Sequence, residues 1–257
     1  MLKTPIDQHR LAVLIDADNA TPTVIGPLLT EVATYGAAIV KRAYGDWTTG
    51  RLGGWKELLN EYAIQPIQQF SYTSGKNATD SALIIDAMDL LYTERLTGFC
   101  VVSSDSDFTR LATRLRESGM LVFGFGEKKT PPPFVRACDR FIYTEILGNT
   151  KQFAPVGENE AAPIPTMKSP KELRSDTKLV HALRTASEAS AGEDGWANLS
   201  QVRSHLGQQL PDFDPRNYGY RKFLPFIQAT DLFDIEDRPG KSGHIFYVVK
   251  SRKAKKK

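Results

Sequence analysis

Between residues 11 and 147, short runs of apolar and β-branched residues alternate with stretches in which apolar side chains return every three to four positions. The runs at 11–15, 38–43, 64–70, 99–103, 120–125 and 141–143 have the length and residue types of strands. Helical spacing fills the intervals at 24–35, 55–62, 80–92 and 108–117. Alternation of this kind predicts βαβ units, and so an α/β fold in which a mostly parallel sheet lies between two helical layers. In such a sheet ligands collect at the carboxyl ends of the strands, which makes the polar residues just after each strand the first place to look for chemistry. Gly124-Phe125-Gly126-Glu127 has only two glycines and follows a late strand, so it reads as a turn rather than a dinucleotide-binding fingerprint.

From Asn149 to Ser169 the periodicity stops, and three prolines stand among small and acidic residues. Residues 149–170 therefore read as an extended linker. Periodicity resumes at Leu173. Leu179, Val180, Leu183 and Ala186 have helical spacing, as do Leu199, Val202, Leu206 and Leu210, with Asn198 or Ser200 placed to cap the second helix. A third helix is expected over 220–229, broken or started near Pro225, and strand-like segments at 232–235 and 244–249 are joined by a turn at 238–243. Three helices and a hairpin predict a small winged-helix-like α+β domain at 171–250, followed by a basic tail at 251–257.

With 41% hydrophobic and 25% charged residues, the 257-residue chain can bury a core in each segment. No apolar run approaches the roughly 18 residues that span a bilayer, and residues 1–10 lack the apolar centre of a signal peptide. A cytoplasmic protein without a membrane partner is the expectation. Cys100 and Cys138 have neither disulfide-framework nor zinc-site spacing, and Cys100 sits in an apolar run as a small buried hydrophobe. The formal charge of +3 is unevenly spread: Lys and Arg number 15 against 17 acidic residues over 1–150, 12 against 13 over 151–249, and six against none over 250–257. Such a tail either lies against phosphates by counterion release or remains a solvated end.

The chemistry lies in the carboxylates. Asp16 and Asp18 end the first strand, Asp105 and Asp107 follow the fourth, and Asp80 falls in the first turn of the helix after Gly75-Lys76-Asn77-Ala78-Thr79. One Asp after a strand serves well enough as a helix cap. Two sites with acids at i and i+2 and a third on the same sheet edge exceed what capping requires. Carboxylates held close repel unless a cation neutralises them, and an oxygen-only set suits Mg²⁺ or Mn²⁺. Asp18 is the weakest member, since it could cap the helix after Pro22. Asp86 is expected to be a buried polar partner or to support the site, and Asp89 to face solvent. His9, His181, His205 and His244 do not pair at ligand spacing, and no HEXXH, GXSXG or Walker A sequence occurs.

In this order and on this frame, Leu14-Ile15-Asp16-Ala17-Asp18-Asn19, Gly75-Lys76-Asn77-Ala78-Thr79-Asp80 and Val102-Ser103-Ser104-Asp105-Ser106-Asp107-Phe108 resemble the NYN domain, the LabA-like branch of the PIN-like ribonuclease superfamily. The resemblance covers about residues 8–148. It implies a metal-dependent ribonuclease acting on RNA, expected to be single-stranded, with Asp16, Asp80, Asp105 and Asp107 as catalytic metal ligands and Asn19 as the accompanying amide. The alternative is a non-catalytic RNA- or protein-binding adaptor that keeps the metal for folding or binding.

Gly195-Trp196-Ala197-Asn198-Leu199-Ser200, the stretch from Pro211 to Phe223 and the closing hairpin resemble a LOTUS (OST-HTH) domain, which implies binding of RNA or of a protein partner. Trp196, Tyr218 and Phe223 are expected in its core. Arg216, Arg221 and Lys222 are the candidates for phosphate contact. The acidic catalytic edge repels phosphates, so this domain and the tail are expected to supply RNA affinity while the carboxylates supply cleavage.

Overall fold

The computed structural model describes residues 9–48, 50–70, 78–93, 95–147, 166–239 and 245–252. Gly75, Lys76 and Asn77, most of the expected linker, the tip of the hairpin with His244, and Lys253–Lys257 lie outside the described residues. The chain divides into two compact units, 1–162 and 163–257.

In the first unit six strands form one sheet: β1 (His9–Asp16), β2 (Gly36–Gly45), β3 (Gln65–Gln68), β4 (Gly98–Val102), β5 (Leu121–Gly126) and β6 (Arg140–Tyr143). Their order is β3-β2-β1-β4-β5-β6, and every neighbouring pair is parallel. Crossovers run through α1 (Ile25–Ala33), α2 (Lys56–Glu61), α3 (Ala78–Thr93), α4 (Thr109–Glu117) and α5 (Pro132–Ala137). Alternate residues of each strand point to opposite faces. Ala12 and Leu14 therefore join Phe99, Val101, Leu83 and Leu111 in one core, beneath α3, α4 and α5. Leu11, Val13 and Ile15 join Cys100, Val102, Leu28 and Trp55 in the other, beneath α1 and the segment before α2. This is the PIN-like α/β/α arrangement that the resemblance implies. Burial on both faces is why β1 and β4 read as unbroken apolar runs, and it pushes the Cys100 thiol far above its ordinary range.

Three local expectations are corrected. The run at 64–70 forms strand only over Gln65–Gln68, because β3 is an edge strand paired with β2 alone. Asp18 does not cap the first helical turn: Thr21 starts that turn, and Pro22 at its first position needs no donor. Gly124 and Gly126 are not a turn but part of β5, where side chains have no room. A Cβ on Gly124 would strike Phe141 and Cys138, and one on Gly126 would lie 2.6 Å from the Ser103 carbonyl oxygen. Close approach between backbone and neighbouring side chains, not chain reversal, accounts for these glycines.

At the end of α2, Ala63 takes φ of +50°, the left-handed conformation that closes a helix. A side chain there costs about 1–2 kcal/mol, and glycine gives part of this back through its freer unfolded chain. Ala63→Gly should therefore stabilise the protein by about 0.5–1 kcal/mol, seen as a higher urea midpoint. An unchanged or lower midpoint would show that the strain is relieved elsewhere.

The second unit packs α7 (Thr177–Ala189), α8 (Leu199–Gln209) and α9 (Phe223–Thr230) against an antiparallel sheet of β7 (Ala197–Asn198), β9 (Ile245–Ser251) and β8 (Phe233–Pro239), in that order. Pro225 lies in the first turn of α9, where backbone donors have no helical partner, and so leaves the helix unbroken. A further short helix, α6 (Pro170–Ser175), precedes them, capped reciprocally by Ser169 and Glu172. Tyr220 donates to the Lys168 carbonyl at 2.8 Å and the Lys168 N–H to the Tyr218 carbonyl at 3.1 Å. The unit therefore begins a few residues before the return of periodicity suggests.

Candidate active site

The acidic residues meet at the carboxyl edge of the first sheet, around the gap between β1 and β4 where the strand order reverses. Asp16 is the last residue of β1 and has the strand parity of Ala12 and Leu14, so it emerges on the α3 side. It is fully buried, and its carboxylate accepts from the Asn19 side-chain amide at 2.8 Å and the Ser103 hydroxyl at 2.7 Å. Ser103 also accepts from the Asp105 N–H at 3.1 Å, tying the end of β1 to the loop after β4. The Asp105 carboxylate caps the following 3-10 turn by accepting from the Asp107 N–H at 2.9 Å, which explains the i, i+2 spacing of the two acids. Asp80 lies in the first turn of α3 and is buried.

Asp80, Asp105 and Asp107 each offer an oxygen, and these oxygens lie within 4.8 Å of one another. Asp16 stands beside this trio. Burial first, then the charges of Asp16, Asp105, Asp107 and Asp18, raise Asp80 to a pKa of about 6. Burial also raises Asp16, against the lowering effect of its bonds from Asn19 and Ser103. The chemistry of this donor set, converging carboxylates whose burial and mutual repulsion are relieved by a positive charge, fits a hard divalent cation. Protons and cation compete for Asp80. Mn²⁺ affinity should therefore fall as pH drops through 6, approaching tenfold per unit below it, as read by calorimetric titration. A constant affinity from pH 7 to 5 would place the cation away from Asp80.

Asp18 is exposed and accepts from the Thr79 hydroxyl at 2.9 Å, linking the β1 loop to the start of α3. Asp86 accepts from Arg42 and from the buried Tyr44 hydroxyl, pinning α3 to β2 between one and two turns beyond Asp80. Asp89 is exposed, as expected. Sequence reasoning missed Asp46, a buried carboxylate one residue past β2 on the same edge, which accepts from Thr48 and from the Gln68 side chain at 3.0 Å. Its signal was its position after a strand, obscured by the absence of a second acid nearby.

In the second unit Arg221 and Lys222 are exposed. Arg216 is held by the buried Asp214 through Nε at 3.0 Å and Nη2 at 2.8 Å, which neutralises its charge within the fold. Phe223 is in the core and Tyr218 packs against it. Trp196 is not: half-exposed, it has Arg238 and Lys250 at its ring, because the short β7 pairs at the sheet margin and leaves the preceding residue outside.

No helix among the described residues is long and apolar enough to cross a membrane. Compared with known proteins, the NYN domain matches residues 10–147 and the OST-HTH/LOTUS domain residues 174–245. No curated protein matches the chain. A protein of unknown function from Vibrio parahaemolyticus, 19% identical, aligns over 54% of this chain and 94% of its own with a TM-score of 0.44. An uncharacterized protein from Nitrosomonas europaea, 27% identical, aligns over 42% of this chain and 96% of its own with a TM-score of 0.29. Matched over more than half of its length, the chain belongs to the NYN domain family and carries an OST-HTH/LOTUS domain after it.

Proposed function

We propose that the first unit is a metal-dependent ribonuclease acting on single-stranded RNA in the cytoplasm, and that the second binds RNA or docks the enzyme on a protein partner. The observation that carries the reading is the convergence of Asp80, Asp105 and Asp107 beside Asp16 at the switch point of the sheet. Asp16, Asp80, Asp105 and Asp107 would hold Mg²⁺ or Mn²⁺, which when bound supplies charge neutralisation at the phosphodiester and a more acidic water. The remaining work belongs to the chain. Asn19 and Ser103 orient Asp16, the Asp107 N–H orients Asp105, and Asp86 holds α3 so that Asp80 faces the others. Arg221 and Lys222, both exposed, suit phosphate contact.

The test is cleavage of end-labelled single-stranded RNA by the full chain with Mn²⁺ or with EDTA, against an Asp105→Asn control. Cleavage that needs the metal and is lost in the control is expected. Binding without cleavage under any metal would leave the adaptor role instead.

A further inference from the structure

The cations among the described residues of the first unit fall into three groups. Several are engaged by neighbours: Arg42 pairs with Asp86, Arg114 bonds Tyr92 and Ser118, Arg116 pairs with Asp139, Lys129 pairs with Glu127, and Arg140 lies over the Tyr35 ring; Arg10, Arg95 and Arg136 are exposed away from the carboxyl edge. Arg51, Lys56, Arg110 and Lys128 are exposed at that edge. Each stands on a segment leaving the carboxyl end of a strand, Arg51 and Lys56 after β2, Arg110 after β4 and Lys128 after β5.

The packing brings these segments beside the carboxylates. Leu52, next to Arg51, and the Asp18 carboxylate both lie within 4 Å of where a Cβ on Gly45 would stand, at 2.6 and 3.7 Å. Arg110 lies in the first turn of α4, three residues beyond Asp107. The Glu127 N–H donates to the Ser104 hydroxyl at 2.9 Å, which sets the loop carrying Lys128 against the one carrying Asp105. Cations therefore flank the acidic centre on both sides. From β2 across β1 and β4 to β5 is about 14 Å at ordinary strand spacing. A single phosphate cannot reach both flanks, whereas a chain of phosphodiesters can.

We infer that Arg51, Lys56, Arg110 and Lys128 form a phosphodiester track across the carboxyl edge of the sheet, drawing a polynucleotide strand over the carboxylates by its backbone. This rests on the nuclease reading and moves part of the affinity from the second unit, where charge counting alone puts it, into the first. The carboxylates repel a polyanion along the middle of the path, and cations at both ends hold it there. Contacts confined to the backbone do not distinguish ribose from deoxyribose.

The test measures binding apart from turnover. Fluorescein-labelled oligouridylate and oligothymidylate of about twelve nucleotides are titrated with the full chain in EDTA across a range of salt concentrations, followed by anisotropy. The variant Arg51→Gln/Arg110→Gln/Lys128→Gln should weaken both oligonucleotides by about tenfold or more and lower the slope of log affinity against log salt by about 2, near 0.7 per lost contact. The control Arg10→Gln/Arg95→Gln/Arg136→Gln removes the same charge from exposed positions off this edge and should change affinity no more than about twofold. Equal effects of the two triples would reduce the track to net charge and overturn it. An unchanged slope in the first triple would also overturn it, placing the phosphate contacts on the second unit, and a loss confined to one oligonucleotide would overturn backbone recognition. If the wild type binds but never cleaves with metal, the nuclease reading fails while this result stands.

Discussion

Asp80→Asn is expected to lower metal-dependent RNA cleavage by about 10²–10³-fold, the scale on which one charge-stabilising group contributes to such a step, while making the metal-free protein more stable. The two effects have one cause. Asp80 is raised from 3.8 to about 6 by burial and by four neighbouring carboxylates, so the metal-free fold carries an unfavourable charge at neutral pH. Because the folded-state pKa lies above the unfolded one, the sign is fixed: stability from this group is present below about pH 4 and is lost as pH rises through 6. That difference corresponds to roughly 3 kcal/mol at full strength, and solvent screening at an edge where Asp107 is exposed reduces this to about 1–2 kcal/mol. Thermal unfolding in EDTA at pH 7.5 should show the variant melting higher than the wild type, with the gap narrowing as pH falls towards 4. A variant that melts lower at both pH values would show that Asp80 makes a favourable structural contact instead, and full activity would remove it from the site.

Gly126→Ala is expected to cost about 1–3 kcal/mol, the usual penalty for overfilling a packed interior. Its Cβ would stand 2.6 Å from the Ser103 carbonyl oxygen, 2.7 Å from the Thr130 hydroxyl and 3.0 Å from Phe141. The backbone of Ser103 gives least readily, and the hydroxyl of that residue holds Asp16 and the Asp105 N–H. Mn²⁺ affinity should therefore fall together with stability, although no ligand has been changed. Equilibrium unfolding and metal titration on one preparation separate the cases. Lost stability with unchanged metal affinity would show that the strain is absorbed by Thr130 and Phe141.

The buried strands were legible because both faces of the sheet are covered: Leu11–Ile15 and the run at 99–102 are apolar without interruption. The edge strand β3 was legible only roughly, since Pro66 and two glutamines obey partial burial rather than a period. The acids after β1 and β4 declared themselves by number and position. What escaped depends on distances that no local pattern encodes. That β5 runs so close to Phe141 and Ser103 that only glycine fits is a property of packing between segments. So is the engagement of Arg216 by Asp214, which a count of charges leaves free. Trp196 was misjudged because aromatic residues usually fill small cores, whereas here two cations lie at the ring of a residue left outside one. Asp46 escaped because a lone acid after a strand is most simply a turn former.

The hydrogen bond from Ser103 to Asp16 joins positions 87 residues apart. β4 enters the sheet beside β1, the first strand to be synthesised, and does so only after β2, β3 and α3 have been laid down. During translation Asp16 and Asp80 leave the ribosome well before the segment that supplies Asp105 and Asp107. A nascent chain stalled ahead of Ser103 holds half of the acidic centre and none of the β4 loop. Any nucleolytic activity of this fold therefore waits until the β4 loop has left the ribosome and is withheld from nascent chains shorter than that.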